Sequence, residues 1–321
     1  MSNQAQESAA QGLALLKPYL EDKPQPLIGA KTIQLLLIRE IHDYTVLRTE
    51  ETRELNTVVT PLSITQDSGD IRRVAFLATK QKAAESRQLE ALLRTATQEA
   101  GVKVEKPCFL KDNLCLECPR CGLFGATSTE AGKGQAPNIK HRIEYSTAFS
   151  LMPYEDIESA TTFNAINDDK QITGQALGTR YAVVPATIFP SIVSLRSVSQ
   201  RELILAIKTL LACKSYGAES RIGGDVRNTI FGIAAGWEEV ITPLEFALEL
   251  YDRKADISGA TVKAIAEAYK PLTGNPARVM IFSPDQVDAI VKEAAETALD
   301  KAFLQASYDD IKEYRKEQAK K

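Results

Sequence analysis

The chain has 321 residues, 44% of them hydrophobic and 25% charged, with a net charge of −3. That make-up is long enough for one elaborated domain or two modest ones around a sizeable core, and it excludes wholesale disorder. No apolar run approaches the length of a membrane span and the opening MSNQAQESAA has no apolar signal region, so the expected location is the cytoplasm.

Residues 1–30 are polar, small or interrupted by Pro18, Pro24 and Pro26, and read as a tail. Thr32 to His42 has the continuous apolar run of a buried strand, and Tyr44 to Arg48 continues it. Thr57 to Thr60 and Ile71 to Ala78 read as strands on either side of a turn-like Gln66–Asp70. Gln81 to Ala100 is a helix with Leu89, Leu92 and Leu93 on one face and Gly101 at its end. A cysteine-rich stretch and a Gly/basic loop over 132–140 follow, then a strand from Arg142 to Phe149. Thr161 to Arg180 is rich in turn formers and reads as a long excursion, an irregular hairpin. Tyr181 to Leu195 returns to strand character, broken by Pro185 and Pro190. Ser199 to Glu202 is a capping box that opens a helix to about Cys213, and Arg227 to Ala235 is the next strand. The last third is mostly helical, with N-terminal caps at Thr242–Glu245 and Ser283–Gln286 and one strand over Arg278–Phe282.

The core order is therefore strand–helix–strand twice, with long insertions. It suits an α+β, ferredoxin-like (split βαβ) core better than a doubly wound sheet. The expected divisions are a tail over 1–30, the first part of the core over 31–101 and a cysteine module with its loop over 102–141. A core strand over 142–160, the excursion over 161–180, the second half of the core over 181–236 and a helical module over 237–321 complete them.

Four of the five cysteines, Cys108, Cys115, Cys118 and Cys121, occupy one short stretch with the spacing C-x6-C-x2-C-x2-C. Thiolates two residues apart converge on one ion from a single tight turn, and four of them complete the tetrahedral shell that zinc prefers. Four protein ligands leave no open position for water or substrate, so the site reads as structural zinc. Two alternatives stand beside it. Disulfides need an oxidising compartment, for which nothing else in the chain argues. An iron–sulfur cluster matches the first three ligands, but Gly125 stands where a ferredoxin run has its fourth cysteine, so Cys108 would have to complete the set. Cys213 ends an apolar helical pattern and reads as a small core residue.

Charge is unevenly distributed. Residues 170–229 hold eight basic and three acidic side chains, whereas 238–321 hold 12 basic and 16 acidic. A basic island of that kind is compatible with a phosphate backbone on one face, and equally with a solvated surface. Within the island, Tyr216 to Asn228 contains Gly223 and Gly224 bracketed by Arg221 and Arg227. Glycines let a backbone approach a ligand closely and the arginines supply charge. The helix-to-strand order is the reverse of a nucleotide-binding loop, so nucleotide binding is disfavoured and a plain turn is the alternative. The inventory for acid–base or nucleophilic catalysis is thin: His42 and His141 stand far apart, and Glu50, Glu51 and Glu54 read as a solvated charged loop.

Leu47–Glu50 with Leu55–Asn56, Cys115–Gly125, Thr147–Tyr154, Phe189–Ser191 and the Arg221–Asn228 loop, in that order over about residues 30 to 235, carry a resemblance. Together they resemble the Cas-seven-like backbone subunit of type I-D CRISPR interference (Cascade) complexes, a Csc-type subunit of the RAMP superfamily. The resemblance implies an RRM-like core elaborated by zinc-binding, lid or thumb, and helical modules. It implies copies that stack along a CRISPR guide RNA (crRNA), each with a thumb that displaces a guide base, so that the intervening bases pair with target DNA in antiviral defence. The implied partners are other copies of the chain and the Cas-five-like, Cas-six-like and Cas-ten-like large subunits of the complex. Arg221, Arg227, Gly223 and Gly224 are the expected guide contacts, with Arg48 and Asn56 from the other core loop. Lys140, Arg142 and Arg180 are secondary, and Phe163 and Ile166 are the expected thumb residues, with burial of Phe163 in the core as the alternative. Related type III subunits cleave RNA with a loop aspartate; Leu47–Asn56 contains none, so the chain is expected not to be an enzyme. The competing readings are a metal-assisted ribonuclease using Glu50, Glu51 or Asp67, and an iron–sulfur redox protein.

Overall fold

The apolar run Leu35–Ile38 becomes the middle of the main sheet: β1 (Thr32–Ile41) is buried along nearly its whole length. A strand with neighbours on both edges and helices on both faces has no solvent side, which is why TIQLLLIREI does not alternate with polar residues. The computed structural model describes residues 12–48, 54–64, 69–109, 114–127, 138–167, 172–217, 225–254 and 256–320, with the backbone alone for 163–167 and 172–177.

After β1 come a hairpin of β2 (Thr57–Pro61) and β3 (Asp70–Phe76), and the long helix α1 (Ala78–Glu99). The cysteine stretch leads into the short helix α2 (Pro119–Phe124) and a two-rung ladder of β4 (Ala126–Thr127) with β5 (Asn138–Ile139). The strand expected over Arg142–Phe149 is two strands, β6 (Ile143–Tyr145) and β7 (Ala148–Phe149), which join different sheets. The chain switches sheets at Ser146–Thr147, where the start of α1 holds it: Gln81 donates to Ser146 O at 3.1 Å and Ala78 N donates to Thr147 Oγ1 at 3.4 Å.

Next come α3 (Tyr154–Ile157), β8 (Glu158–Asn167) and β9 (Ile172–Val183), the last two forming a long hairpin across the excursion. β10 (Ile188–Arg196), α4 (Gln200–Ala212) and β11 (Val226–Gly236) complete the core. α4 starts on the expected capping box, with Ser199 Oγ and the Glu202 carboxylate exchanging backbone hydrogen bonds. The last third contributes α5 (Pro243–Asp252), α6 (Gly259–Tyr269), the two-residue edge strand β12 (Met280–Ile281), α7 (Pro284–Glu296) and α8 (Lys301–Ala319). Both expected caps there, at Thr242 and Ser283, are complete boxes.

The main sheet has the order β12-β11-β1-β10-β6 with every neighbour antiparallel. Side chains alternate across it. Ile33, Leu35 and Leu37 face a core layer shared with α1, α4 and α7. Leu36 and Ile38 face a second layer with Phe246, Leu250, Val262 and Ile265 of α5 and α6. The chain is therefore mixed α+β with helices on both faces of a five-stranded sheet. A separate three-stranded sheet, β2-β3-β7, sits beside it. Among the described residues no helix is long and apolar enough to cross a membrane.

The expected N-terminal tail is corrected in part. Residues Leu13–Tyr19 form a 3-10 helix, and Leu13, Leu16 and Leu20 are buried in the first core layer. Its start is pinned by Leu13 N donating to the Glu293 carboxylate at 2.7 Å. Proline content misled the sequence reading, because three leucines spaced along one face were enough to anchor a short segment to α7.

Candidate metal centre and nucleic-acid interface

The four clustered cysteines are brought together by local turns. Cys118 caps α2, its sulfur accepting from Cys121 N at 3.4 Å, with Pro119 at the first helical position. Leu116 takes a left-handed φ of 60°, which folds the chain back between Cys115 and Cys118. Glu117 N donates to Cys115 Sγ at 3.4 Å. All four sulfurs lie within 4.8 Å of one another and all four residues are buried. Cys108 and Cys121 are 3.5 Å apart and Cys115 and Cys121 3.9 Å. A disulfide needs about 2.05 Å, and the cysteines are free thiols. Four sulfurs about 2.3 Å from one tetrahedral ion would stand roughly 3.8 Å apart, so the set fits a single shared metal ion.

Without a cation the four sulfurs frustrate one another. Hydrogen bonds from Cys108, Cys115 and Cys118 hold the Cys121 thiol well below its ordinary range, and one from Cys115 holds Cys108 down to about 7. Cys115 and Cys118 are pushed up, first by their hydrogen bonds to Cys108. Metal ligation requires thiolates, so a bound divalent ion would favour the charged form of all four.

The rest of the module is clamped from outside. Gly122 in α2 lies under α8: a Cβ there would fall 2.2 Å from Ile311 Cδ1. Gly125 ends α2 at φ 80°, and a Cβ there would come within 3.0 Å of His141 N. Ile311 and Tyr314 of α8 share an apolar cluster with the four cysteines. Arg142 is fully buried beside them, ion-paired to Glu202 at the start of α4 and 5.3 Å from the Tyr314 ring.

A second constellation forms at the opposite end of the main sheet. The register places Arg227 opposite Glu40 and Val226 opposite Ile41, at the C-terminal end of β1. There His42 N donates to Asp225 O at 2.7 Å, and Val226 N to Lys214 O at 2.8 Å, so both stems of the glycine loop meet the strand. Thr45 and Val183 exchange backbone hydrogen bonds of 3.1 and 2.9 Å, which brings the base of the β8–β9 hairpin alongside. That antiparallel bridge sets Arg48 and Arg180 the same three residues beyond it. Asn56 N donates to Leu47 O at 3.2 Å and Ala75 N to Asn56 O at 2.8 Å, joining the three-stranded sheet to the same corner. One apolar cluster underlies them all: Ile41, Leu47, Leu55, Phe76, Val183, Cys213, Tyr216 and Val226.

The structure thus gathers Arg48, Asn56, Arg180 and Arg227, and separates Lys140 and Arg142 from them. Arg196 N donates to Arg142 O at 2.9 Å, and Arg196 pairs with Thr32 at the start of β1. The two ends are divided by the ten residues of β1, roughly 30 Å at about 3.3 Å per residue. Arg142 as an RNA contact is a correction: its guanidinium is enclosed by Glu202 and Tyr314 and does not reach the surface. Arg221, Gly223, Gly224, Glu50, Glu51 and Asp67 lie outside the described residues. Phe163 and Ile166 are placed by backbone only, opposite Gly178 and Thr173 in the hairpin.

Arg196, Arg201 and Lys208 of the basic island are engaged within the fold. Arg196 pairs with Glu144 at 3.3 Å, Arg201 with Asp310 at 2.6 Å, and Lys208 donates to Ala295 O at 2.8 Å. Sequence reasoning missed the buried polar group beneath the glycine-loop stems, Arg39, Glu85, Tyr145, Tyr216 and Asn228. Its signal was an arginine within the buried strand β1, since a buried charge requires partners.

Over residues 16–317 the sequence matches the family described as Csc2 Crispr. The fold is similar to the crystal structure of Thermofilum pendens Csc2, at 23% identity and a TM-score of 0.63, with 96% of each chain covered. It is also similar to chains of two structures described as a CRISPR RNA-guided surveillance complex, one of them pre-nicking. These have TM-scores of 0.50 and 0.51 at 12% identity, over 82% of this chain and 99% and 100% of those chains. No curated protein matches the sequence.

Proposed function

The chain belongs to the Csc2 family of CRISPR proteins, and from that premise we propose that it is a non-catalytic backbone subunit of a type I-D CRISPR interference complex. In this reading it binds guide RNA, polymerises along it and presents it for pairing with target DNA, in the cytoplasm. Its neighbours are further copies of itself and the Cas-five-like, Cas-six-like and Cas-ten-like subunits. The order β11-β1-β10-β6, with α1 and α4 as the two crossovers, supports a ferredoxin-like core. The β8–β9 hairpin is then the thumb, and the four cysteines hold structural zinc, which supplies order and no chemistry.

The observation that carries the reading is the convergence at the C-terminal end of β1. Arg48 with Asn56, Arg180, and Arg227 come from three separated segments and meet around the stems of the glycine loop. Cations gathered at one corner grip phosphates irrespective of base, which leaves sequence reading to the guide. A subunit that covers few nucleotides gains affinity from neighbours, so binding is cooperative.

Sedimentation on single-stranded RNAs of increasing length tests this. The expected result is a stepwise, length-dependent series of multimers with the RNA left intact in the presence of magnesium. One copy per long strand at saturation overturns the polymerisation, and cleavage overturns the non-catalytic assignment. Elemental analysis should return one zinc per chain; iron with sulfide overturns the zinc.

A further inference from the structure

Beneath the corner just described lies a fully buried ion pair. Arg39 of β1 and Glu85 of α1 are both unexposed and 2.7 Å apart. Arg39 Nη1 also donates to Asn228 Oδ1 at 2.9 Å and to Tyr216 OH at 3.0 Å. Glu85 accepts from Tyr216 OH at 2.7 Å and from Tyr145 OH. Asn228 Nδ2 donates to Leu210 O at 2.7 Å, Cys213 O at 3.1 Å and Tyr216 OH at 2.8 Å. The guanidinium is 5.7 Å from the Phe76 ring centre and 5.3 Å from that of Tyr216. Two of its nitrogens, Nε and Nη2, have no hydrogen-bond partner among the described residues.

Burying such a pair costs several kcal/mol per ion, and a well-packed apolar substitute is often as stable or more so. Stability is therefore a poor reason for it. Its connections are selective: Tyr216 precedes the glycine loop, Asn228 follows it, and Arg227 is the neighbour of Asn228 on the exposed side of β11. In a strand, adjacent side chains point to opposite faces, so holding Asn228 inward turns Arg227 outward. Burial, and then Glu85, push both phenols well above the ordinary tyrosine range, so they keep their protons and donate.

We propose that the Arg39–Glu85 pair is a positioning device for the phosphate-binding corner, holding both stems of the glycine loop, and with them Arg227, through Tyr216 and Asn228. The proposal rests on the RNA-binding reading for its purpose. Its geometry, two stems tied to one buried charge pair, stands without it.

Tyr216→Phe and Tyr145→Phe make a matched test. Each removes one hydroxyl that donates to Glu85, and neither removes a charge, but Tyr216 alone lies on a loop stem. Two readouts are needed on the full-length protein: the salt dependence of binding to a single-stranded RNA, and hydrogen exchange of the amides of Ser215 and Val226–Asn228 without RNA. Tyr216→Phe is expected to speed that exchange, weaken binding about tenfold and lower the salt slope by roughly 0.7, one phosphate contact's worth. Tyr145→Phe is expected to leave all three unchanged. Glu85→Gln, which keeps the shape and removes the charge, should behave as Tyr216→Phe does and serves if that variant does not fold. The proposal is overturned if the folded Tyr216→Phe protein keeps wild-type exchange and slope, or if Tyr145→Phe alters them equally. Arg227→Ala separates the two ideas. If it leaves the slope unchanged, the phosphate grip is wrong, and the exchange readout alone decides whether the pair holds the stems.

Discussion

The two ends of the main sheet are built on opposite plans. The cysteine end draws its four ligands from a stretch of 14 residues, and its order is set by sulfur chemistry and a docked helix. The glycine-loop end draws Arg48 and Asn56, Arg180, and Arg227 from three segments far apart in sequence, and its order is set by strand register over an apolar cluster. The first is a local device that stiffens the fold. The second exists only once the whole sheet has formed. Damage at the cysteine end should therefore appear as lost stability, and damage at the other end as lost binding.

The largest expected effect is metal removal. With zinc held there as proposed, stripping it with a strong chelator, or Cys118→Ser, should lower the melting temperature by about 10 °C or more, because metal affinity at such a site is folding free energy. Calorimetry checks this, and limited proteolysis should find α8 newly accessible, since Ile311 and Tyr314 pack on the cysteines. RNA affinity of the protein that remains folded should change less than about threefold, within the spread of distant, uncoupled sites. A collapse of binding would join the two ends that the structure holds apart.

Arg142→Ala comes next. Removing one partner of a buried pair leaves Glu202 charged and enclosed, a loss of about 3–5 kcal/mol, to be read from denaturant unfolding. Because Arg142 lies at the cysteine end and does not reach the surface, the salt slope of RNA binding should stay as it was. A lowered slope would restore Arg142 as a phosphate contact and break the comparison at its sharpest point.

How legible each end was follows from the same contrast. The cysteine spacing, the capping boxes at Ser199, Thr242 and Ser283, and the apolar run of β1 are local patterns, and each appears in the fold as the sequence indicates. The division of the strand over Arg142–Phe149 was not legible, because it depends on Gln81 meeting Ser146 and Ala78 meeting Thr147 at the start of α1. Nor was the burial of Arg142: an arginine beside a basic loop has the same local sequence whether it faces solvent or Glu202. The distance between Lys140 and Arg227 is a product of register, which no window of sequence contains. Leu13, Leu16 and Leu20 could have been read as an anchored face, but the neighbouring prolines outweighed them.

Smaller in energy, but decisive for where the RNA lies, is a pair of single substitutions. Arg227→Ala should lower the salt slope by roughly 0.7 on single-stranded RNA, equally for unrelated sequences. Lys140→Ala should not, since Lys140 stands at the far end of β1 from the corner that gathers the other cations. Both variants should melt as the parent does. Equal slope changes for the two would mean that the strand runs the length of the sheet.

The smallest effect expected is a pH dependence at the cysteine end. Burial, and then Lys82, hold the His141 imidazole below its ordinary value. Glu144 opposes this, while Lys140 and Arg196 add to it. The folded protein therefore binds fewer protons at this site than the unfolded chain. Stability rises with pH wherever the unfolded state holds more protons. The contribution is thus fully present above the unfolded value of about 6.5 and is lost as pH falls through that value toward the folded one. His141→Gln should flatten this part of the stability profile between pH 7 and 5. Thiolate protonation at the metal site acts in the same direction, but it is common to variant and parent, so their difference isolates the histidine. A parallel pair of profiles would show that His141 titrates alike in both states, and that the cations around it are screened by solvent.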